Sequence, residues 1–511
     1  MKKLLCVLFS TYTLIVLLVT TCFAEGNLSE PYEYEIKGNG TVVITGFDWS
    51  SQGSNDIYVP QMINGYTVTE IGEGAFSDPN ANITHPVGTP VVVVLPDSIT
   101  IINNRAFYCT RITSINISKN IKKIGSGAFA GCVNLTQFTV DPENDVYATI
   151  DDVIYDKTQR MLVSFPLGKE METAIFNVPE GIKEIDDYAF YTGGMVLNEL
   201  QVQLPNTIEQ IGDYAFYGFS NLSTDDSTTD DYGMMPNTAT YHLPEALEEI
   251  GEYAFANSRF SRGMSINSAL KQIKGHAFEN SYLGNITFSE SSNLESIGEY
   301  AFSHSVITTG NNELILPSSI EELEEGAFEG IVPAYDSDAY ELVDLQKTDI
   351  EELPKRCFAD VYLGQLLLPN ELEKIGDGAM AGALGLVEIP ENTISIGEDA
   401  FNSGGGNISF AEDSELEVIG KNAFANYHFN GQHILSLPEG TKEICENAFG
   451  GCRDLKTIVI PESVELIGKD ICDRSIINLQ VTEGSYADMW VFENGYSKQI
   501  NDDSDISWLN D

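Results

Sequence analysis

The chain has 511 residues, with 27 Lys and Arg against 77 Asp and Glu, a formal net charge of -50 and 42% hydrophobic residues. A field of that sign repels nucleic acid and anionic membrane surfaces, and this much apolar content in a periodic pattern excludes a disordered chain. The length allows several domains, but the internal repetition described below makes one repetitive architecture the simpler expectation.

The chain opens Met1-Lys2-Lys3, stays apolar from Leu4 to about Thr20 and reaches Cys22-Phe23-Ala24 before Glu25. A basic start, an apolar run and a small-residue end predict a secretory signal peptide over 1–24. The alternatives are an N-terminal membrane anchor and a lipoprotein attached at Cys22, for which Thr21 is an unusual neighbour. Residues 25–55 are expected to cap the first repeat. Tyr32 to Ile36 and Thr41 to Ile44 flank Lys37-Gly38-Asn39-Gly40, a β-hairpin pattern with Asn-Gly in the turn.

Residues 56–481 return about fifteen times to Ile-Gly-x-x-Ala-Phe or a variant, as in Ile71 to Phe76, Ile124 to Phe129, Ile250 to Phe255 and Ile419 to Phe424. Most steps between the phenylalanines fall between 21 and 26 residues, which is a solenoid period. Ile and Phe recur at fixed phase, so each is expected to stack on its counterpart in the next coil, since one coil cannot bury its own apolar face. Ala is small where the coil bends back, and Gly is expected to supply positive φ at a corner. Before most copies stands an apolar-x-apolar-Pro run, such as Val202-Gln203-Leu204-Pro205 or Ile458-Val459-Ile460-Pro461. The alternation predicts one short strand per coil, ended by proline and stacked in parallel.

Two stretches break the period. Over 141–172, Asp152 to Tyr155 and Met161 to Pro166 predict a hairpin projecting from one coil. Over 222–238, Ser223 to Gly233 is polar and acidic, a solvated loop whose carboxylates suit Ca²⁺ in chemistry but not in EF-hand spacing. Residues 482–511 are expected to close the chain with a short helix, Ser485 as N-cap and Gly495 as the stop, and an acidic tail. Six cysteines lie beyond the leader: Cys109, Cys132, Cys357, Cys445, Cys452 and Cys472. Most replace repeat-core residues and are expected to be buried free thiols, with Cys109 and Cys132 the one pair suited to bridging.

The unit Pro-x-x-Ile-x-x-Ile-Gly-x-x-Ala-Phe-x-x-Cys-x-x-Leu-x-x-Ile-x-Ile-Pro resembles the BspA-like leucine-rich repeats of bacterial and protist surface proteins. Glu443 to Pro461 is its fullest copy, and the resemblance covers roughly 30 to 500. It implies a right-handed leucine-rich-repeat superhelix, β-rich, with a stacked parallel sheet, an N-terminal hairpin cap and a short C-terminal helical cap. It also implies a secreted or surface protein that binds or adheres.

No Gly-x-Ser-x-Gly elbow, His-Glu-x-x-His or phosphate loop occurs, and the six histidines are scattered, so neither catalytic nor metal-ligating residues nor a cofactor are expected. The middle residue of each apolar-x-apolar strand is expected to point away from the core, forming an exposed column. Its candidate binding residues are Tyr58, Asn116, Gln203, His242, Ile315 and Leu367. The expected partner is an extracellular protein or glycan, with no nucleic acid and no membrane insertion after leader cleavage. A passive envelope spacer and an enzyme with its site in the insertions are the alternatives.

Overall fold

The computed structural model describes residues 31–51, 56–78, 91–171, 175–193, 200–221, 241–260, 264–289, 291–308, 312–333 and 339–500. The expected leader, the acidic loop and the tail after Ile500 lie outside them. Two compact units are present, Met1–Thr173 with Lys183–Gly193, and Ala174–Ile182 with Gly194–Asp511. Each is a β-solenoid of stacked parallel strands.

In the first unit, Ile57–Tyr58, Val92–Val94, Ser114–Ile117 and Gln137–Val140 form one parallel sheet. In the second unit, Glu313–Ile315, Tyr340–Asp344, Tyr362–Leu367, Leu384–Ile389 and Ile408–Phe410 form another. Proline ends many of these strands, and a turn follows in which a residue three further on donates its N–H back to the proline carbonyl. Ile99 bonds Pro96 at 3.1 Å, and Ile320 bonds Pro317 at 3.2 Å. The chain then adds a two-residue strand to a second parallel ladder, where Ile71 faces Ile102 and Ile102 faces Ile124.

The repeated motif closes the coil. Its phenylalanines form a column of parallel rings. Phe216, Phe255, Phe278, Phe302, Phe328 and Phe358 follow one another with centroids 5.1–5.3 Å apart. Each of these side chains is buried. Burial is worth about 1.5–3 kcal/mol per ring and stacking about 0.5–1.5 kcal/mol more. The ring column is matched by backbone: the Phe N–H donates to the Ala carbonyl of the next coil, 2.7 Å for Phe278 to Ala301 and 2.8 Å for Phe424 to Ala448.

The motif glycine has a different role from the expected one. Gly72, Gly125, Gly251, Gly298, Gly376, Gly397, Gly420 and Gly468 have no positive φ. Each donates its N–H to the Ile or Leu carbonyl of the coil before, as Gly420 does to Ile396 at 2.8 Å. A Cβ there would collide with that coil's backbone: on Gly420 it would stand 2.6 Å from the carbonyl carbon of Gly397, and on Gly72 2.6 Å from the carbonyl oxygen of Ile44. Close approach, not backbone handedness, selects glycine. The left-handed corners fall instead on the residue before Ala and the second residue after Phe. Tyr253 (φ 53) and Asn257 (φ 56) show this in one coil.

The cysteine expectations divide. All six described cysteines are free, so Cys109 and Cys132 form no bridge. Cys109 sits at a left-handed corner (φ 56) rather than in the core. Cys132 and Cys452 are buried, but they act as more than small hydrophobes. Their thiols donate to the Phe carbonyl of the preceding coil, at 3.0 Å to Phe107 and 2.9 Å to Phe424. At the same phase Ser258 and Ser281 donate to Phe216 and Phe255 at 2.8 and 2.6 Å. In these coils the side chain satisfies a carbonyl that would cost about 1–3 kcal/mol to bury unpaired, whereas Ile331 and Val361 fill the same position in others.

The ends and the first insertion use the same ladders. Tyr32–Ile36 and Thr41–Phe47 pair antiparallel, and Thr41–Phe47 then pairs parallel with Tyr66–Ile71. Phe47 stacks on Phe76 at 4.8 Å and so begins the ring column of the first unit. Val153–Asp156 and Met161–Ser164 pair antiparallel as the expected hairpin, but it does not project from a coil. Tyr147–Ile150, Val153–Asp156 and Met161–Ser164 form a meander whose last strand pairs parallel with Glu184–Ile185, standing in the second ladder as a coil would. Asn144 locks it down. Its amide donates to Ser118 and Ile121 carbonyls at 2.8 and 3.0 Å, and its oxygen accepts from Val146 and Tyr147. At the C-terminal end Ser485 caps the helix Tyr486–Glu493 by accepting from Asp488 N. Gly495 (φ 70) then turns the chain, with Tyr496 N–H bonding the Val491 carbonyl at 3.1 Å.

Gly420→Ala is expected to lower stability by about 1–3 kcal/mol, because two backbones must separate to admit one methyl group. Gly38→Ala, where a Cβ meets nothing within 4 Å and φ is not positive, is expected to be nearly silent. Urea unfolding midpoints of the two variants check this contrast.

Candidate interaction face

A parallel strand alternates its side chains between core and solvent, so register alone decides which residues share an outward row. In the first unit Tyr58, Val94, Asn116 and Thr139 are successive partners. Tyr58 is 67% exposed, Thr139 is exposed, and Val94 and Asn116 are half-buried. Thr139 Oγ1 donates to Asn116 Oδ1 at 3.2 Å, linking two coils across the surface. In the second unit Gln203, exposed, stands beside Asn177. The backbone of His242 pairs with Ser265, which is aligned with Thr287. Ile315, 47% exposed, and half-buried Leu367 flank Asp344. Tyr58, Asn116, Gln203, Ile315 and Leu367 thus belong to outward rows, and His242 is placed by its backbone register alone. The five described side chains do not converge on a pocket.

A second row, two residues earlier in each strand, is not anticipated by the apolar-x-apolar pattern. Tyr340–Asp344, Tyr362–Leu367 and Leu384–Ile389 are longer than that pattern. Glu313, Leu342, Gln365 and Leu386 are aligned as one row. The sequence signal for it is the alternation that continues upstream of the core pair. Leu386 is 46% exposed, and Tyr362 and Leu384, facing each other nearby, are 49% and 43% exposed. Glu313 and Glu388 make no ion pair among the described residues.

Two other surfaces lie off the sheets. At the left-handed corner Tyr214, Tyr253, His276 and Tyr300 stack with centroids 4.7, 4.4 and 5.4 Å apart. Bulky residues are disfavoured at positive φ, and the stack offsets that cost. His276 Nδ1 also lies 3.0 Å from Glu279 Oε2. The ring faces cover one another, so they are not open to a ligand. An open depression of 490 Å³ is lined by Lys355, Arg356, Asp377, Glu398 and Asp399 among others. Its cations are already engaged: Arg356 grips Glu329 at 2.9 and 2.6 Å, and Lys355 reaches Glu325 at 2.6 Å. Among the described residues no group of three or more His, Cys, Asp or Glu is arranged to hold a metal ion.

Stacked parallel strands, a motif that closes each coil and outward rows without a pocket define a leucine-rich-repeat scaffold. The model of the BspA-type leucine-rich repeat region matches residues 55–158, 168–229, 232–333 and 351–478 in six copies. The chain belongs to this family. Among solved structures it is similar to a leucine-rich repeat protein of Bacteroides ovatus, at 17% identity over 93% of this chain and 99% of that one, with a TM-score of 0.45. A leucine-rich cell surface protein of Faecalibacterium prausnitzii matches at 15% identity over 94% and 96%, with a TM-score of 0.30. The pneumococcal vaccine antigen PcpA matches at 14% over 93% and 98%, with a TM-score of 0.29. No curated protein sequence matches the chain.

One carboxyl departs from the family pattern in a way that a pH series can read. Asp186 occupies the motif-glycine position, and its N–H donates to the Leu162 carbonyl at 2.9 Å. Burial at this contact, with Asp187, Glu184 and Asp156 nearby, pushes its carboxyl up to about 8. The folded state therefore favours the neutral acid, while an unfolded aspartate ionises near about 4. The sign follows: this contribution to stability is complete below about pH 4 and is lost as pH rises through about 8. Thermal midpoints measured across that window are expected to fall less in Asp186→Asn than in the wild type. Parallel profiles would show that the carboxyl is not buried as described.

Proposed function

We propose that this protein is a secreted or cell-surface, non-catalytic binding protein that engages proteins or glycans of a host or neighbouring cell through the outward rows of its parallel sheets. The observation that carries this reading is the register. Residues from successive coils stand side by side about 4.8 Å apart, largely uncharged on a chain of net charge -50. Such a row offers small hydrogen-bonding groups, with occasional apolar anchors such as Tyr58 and Ile315, to an extended partner. The leader-like start of the sequence and membership of the BspA-type family support an extracellular address.

The test is a glycan and extracellular-matrix array probed with the chain lacking residues 1–24, with and without Ca²⁺. A defined subset of spots is expected to bind saturably. Tyr58→Asp, Gln203→Asp, His242→Asp and Leu367→Asp are each expected to leave the thermal midpoint in place, and at least one of them to weaken binding by about tenfold or more. Normal binding by all four would rule out the sheet face as the binding surface, and the absence of any saturable ligand would favour a passive spacer.

A further inference from the structure

The outward face of Glu313–Ile315, Tyr340–Asp344, Tyr362–Leu367 and Leu384–Ile389 is organised beyond what a solvated surface requires. Each strand presents one apolar and one polar side chain two residues apart, and the order reverses from strand to strand. The first has Glu313 then Ile315, and the second Leu342 then Asp344. The third has Gln365 then Leu367, and the fourth Leu386 then Glu388. Glu313, Leu342, Gln365 and Leu386 are aligned in one row, and Ile315, Asp344 and Leu367 in the other. Leu366 faces Val387, which brings Leu367 beside Glu388. The apolar residues therefore zigzag through Ile315, Leu342, Leu367 and Leu386. The complementary zigzag is Glu313, Asp344, Gln365 and Glu388.

No lysine or arginine occurs in these four strands. Asp344 accepts only the nearby Gln346 N–H, at 2.9 Å, and Glu313 and Glu388 have no ion-pair partner among the described residues. Ile315 and Leu386 are exposed and Leu342 and Leu367 half-buried, and apolar groups left partly in water side by side favour an interaction site. The charge selects the sign of the partner, and the apolar zigzag selects its hydrophobic content. Four strands span about 14 Å, the reach of roughly four or five extended residues.

We propose that this face docks a short cationic, apolar segment of a partner protein, with its apolar side chains on Ile315, Leu342, Leu367 and Leu386 and its lysines or arginines on Glu313, Asp344 and Glu388. The proposal rests on the outward rows being a recognition surface and names the partner's chemistry at one place on it.

The test is fluorescence anisotropy of the chain lacking residues 1–24, using a labelled peptide of alternating leucine and lysine, about nine residues long, and its leucine–glutamate counterpart. The lysine peptide is expected to bind and the glutamate peptide not to. The paired substitution Glu313→Gln with Glu388→Gln, and separately Leu386→Ser, are each expected to weaken binding at least about fivefold. The control pair Glu462→Gln with Glu465→Gln removes the same charge from exposed positions elsewhere and is expected to change nothing. Equal loss in patch and control pairs, equal binding of both peptides, or no binding would overturn the proposal. If Leu386→Ser shifts the thermal midpoint, the glutamine pair decides. If array binding is lost in Gln203→Asp but kept in Leu386→Ser and the glutamine pair, this proposal fails while the sheet-face function stands. If array binding is unchanged in these variants and also in Tyr58→Asp, His242→Asp and Leu367→Asp, both fail.

Discussion

The structure depends on how closely one coil can lie on the next. Parallel ladders hold neighbouring strands at about 4.8 Å, and the rest of each coil must accept that spacing. At the motif glycine the backbones come close. On Gly468 a Cβ would stand 2.3 Å from the backbone nitrogen of Glu446, and on Gly298 2.5 Å from that of Gly275. Where glycine is replaced, another residue must live in that contact. Asp186 does so half-buried, with burial pushing its carboxyl up.

This constraint separates the chain into two populations of residues. Ile, Gly, Ala and Phe of the motif, with the short donors Cys132, Ser258, Ser281 and Cys452, are committed to the neighbouring coil. Their side chains are consumed by packing and by backbone carbonyls. The outward rows carry no such duty, because a residue there touches its aligned neighbours and water. Side chains can therefore vary along the rows without cost to the fold, which is the logic of a repeat scaffold.

Periodicity makes the scaffold legible in the amino-acid sequence. Phe278, Phe302 and Phe328 recur at a fixed phase, and they stack. Alternation likewise marks the outward residue of each strand, and pairing aligns Tyr58, Val94 and Asn116 in one row. What the sequence hides is information that lives between coils. Glycine is the same letter whether it supplies positive φ or makes room for a neighbour, so the role of Gly72 and Gly420 emerges only from the packed coils. Cys132 reads as a small hydrophobe because its acceptor, the Phe107 carbonyl, lies 25 residues away. The meander at 147–164 reads as a projection because nothing local shows that Met161 and Leu162 pair with Glu184 and Ile185. The checkerboard on 313–388 requires the register of four strands at once.

The central claim is that scaffold residues and outward-row residues are physically separate sets. The direct measurement is a thermal-melt series in which one residue per variant is changed to lysine, drawn alternately from outward rows (Thr139, Gln203, Ser409, Ser436) and from motif positions (Gly251, Ala301, Gly397, Ala423). Row variants are expected to melt with the wild type, and motif variants well below it. Row variants as unstable as motif variants would contradict that separation.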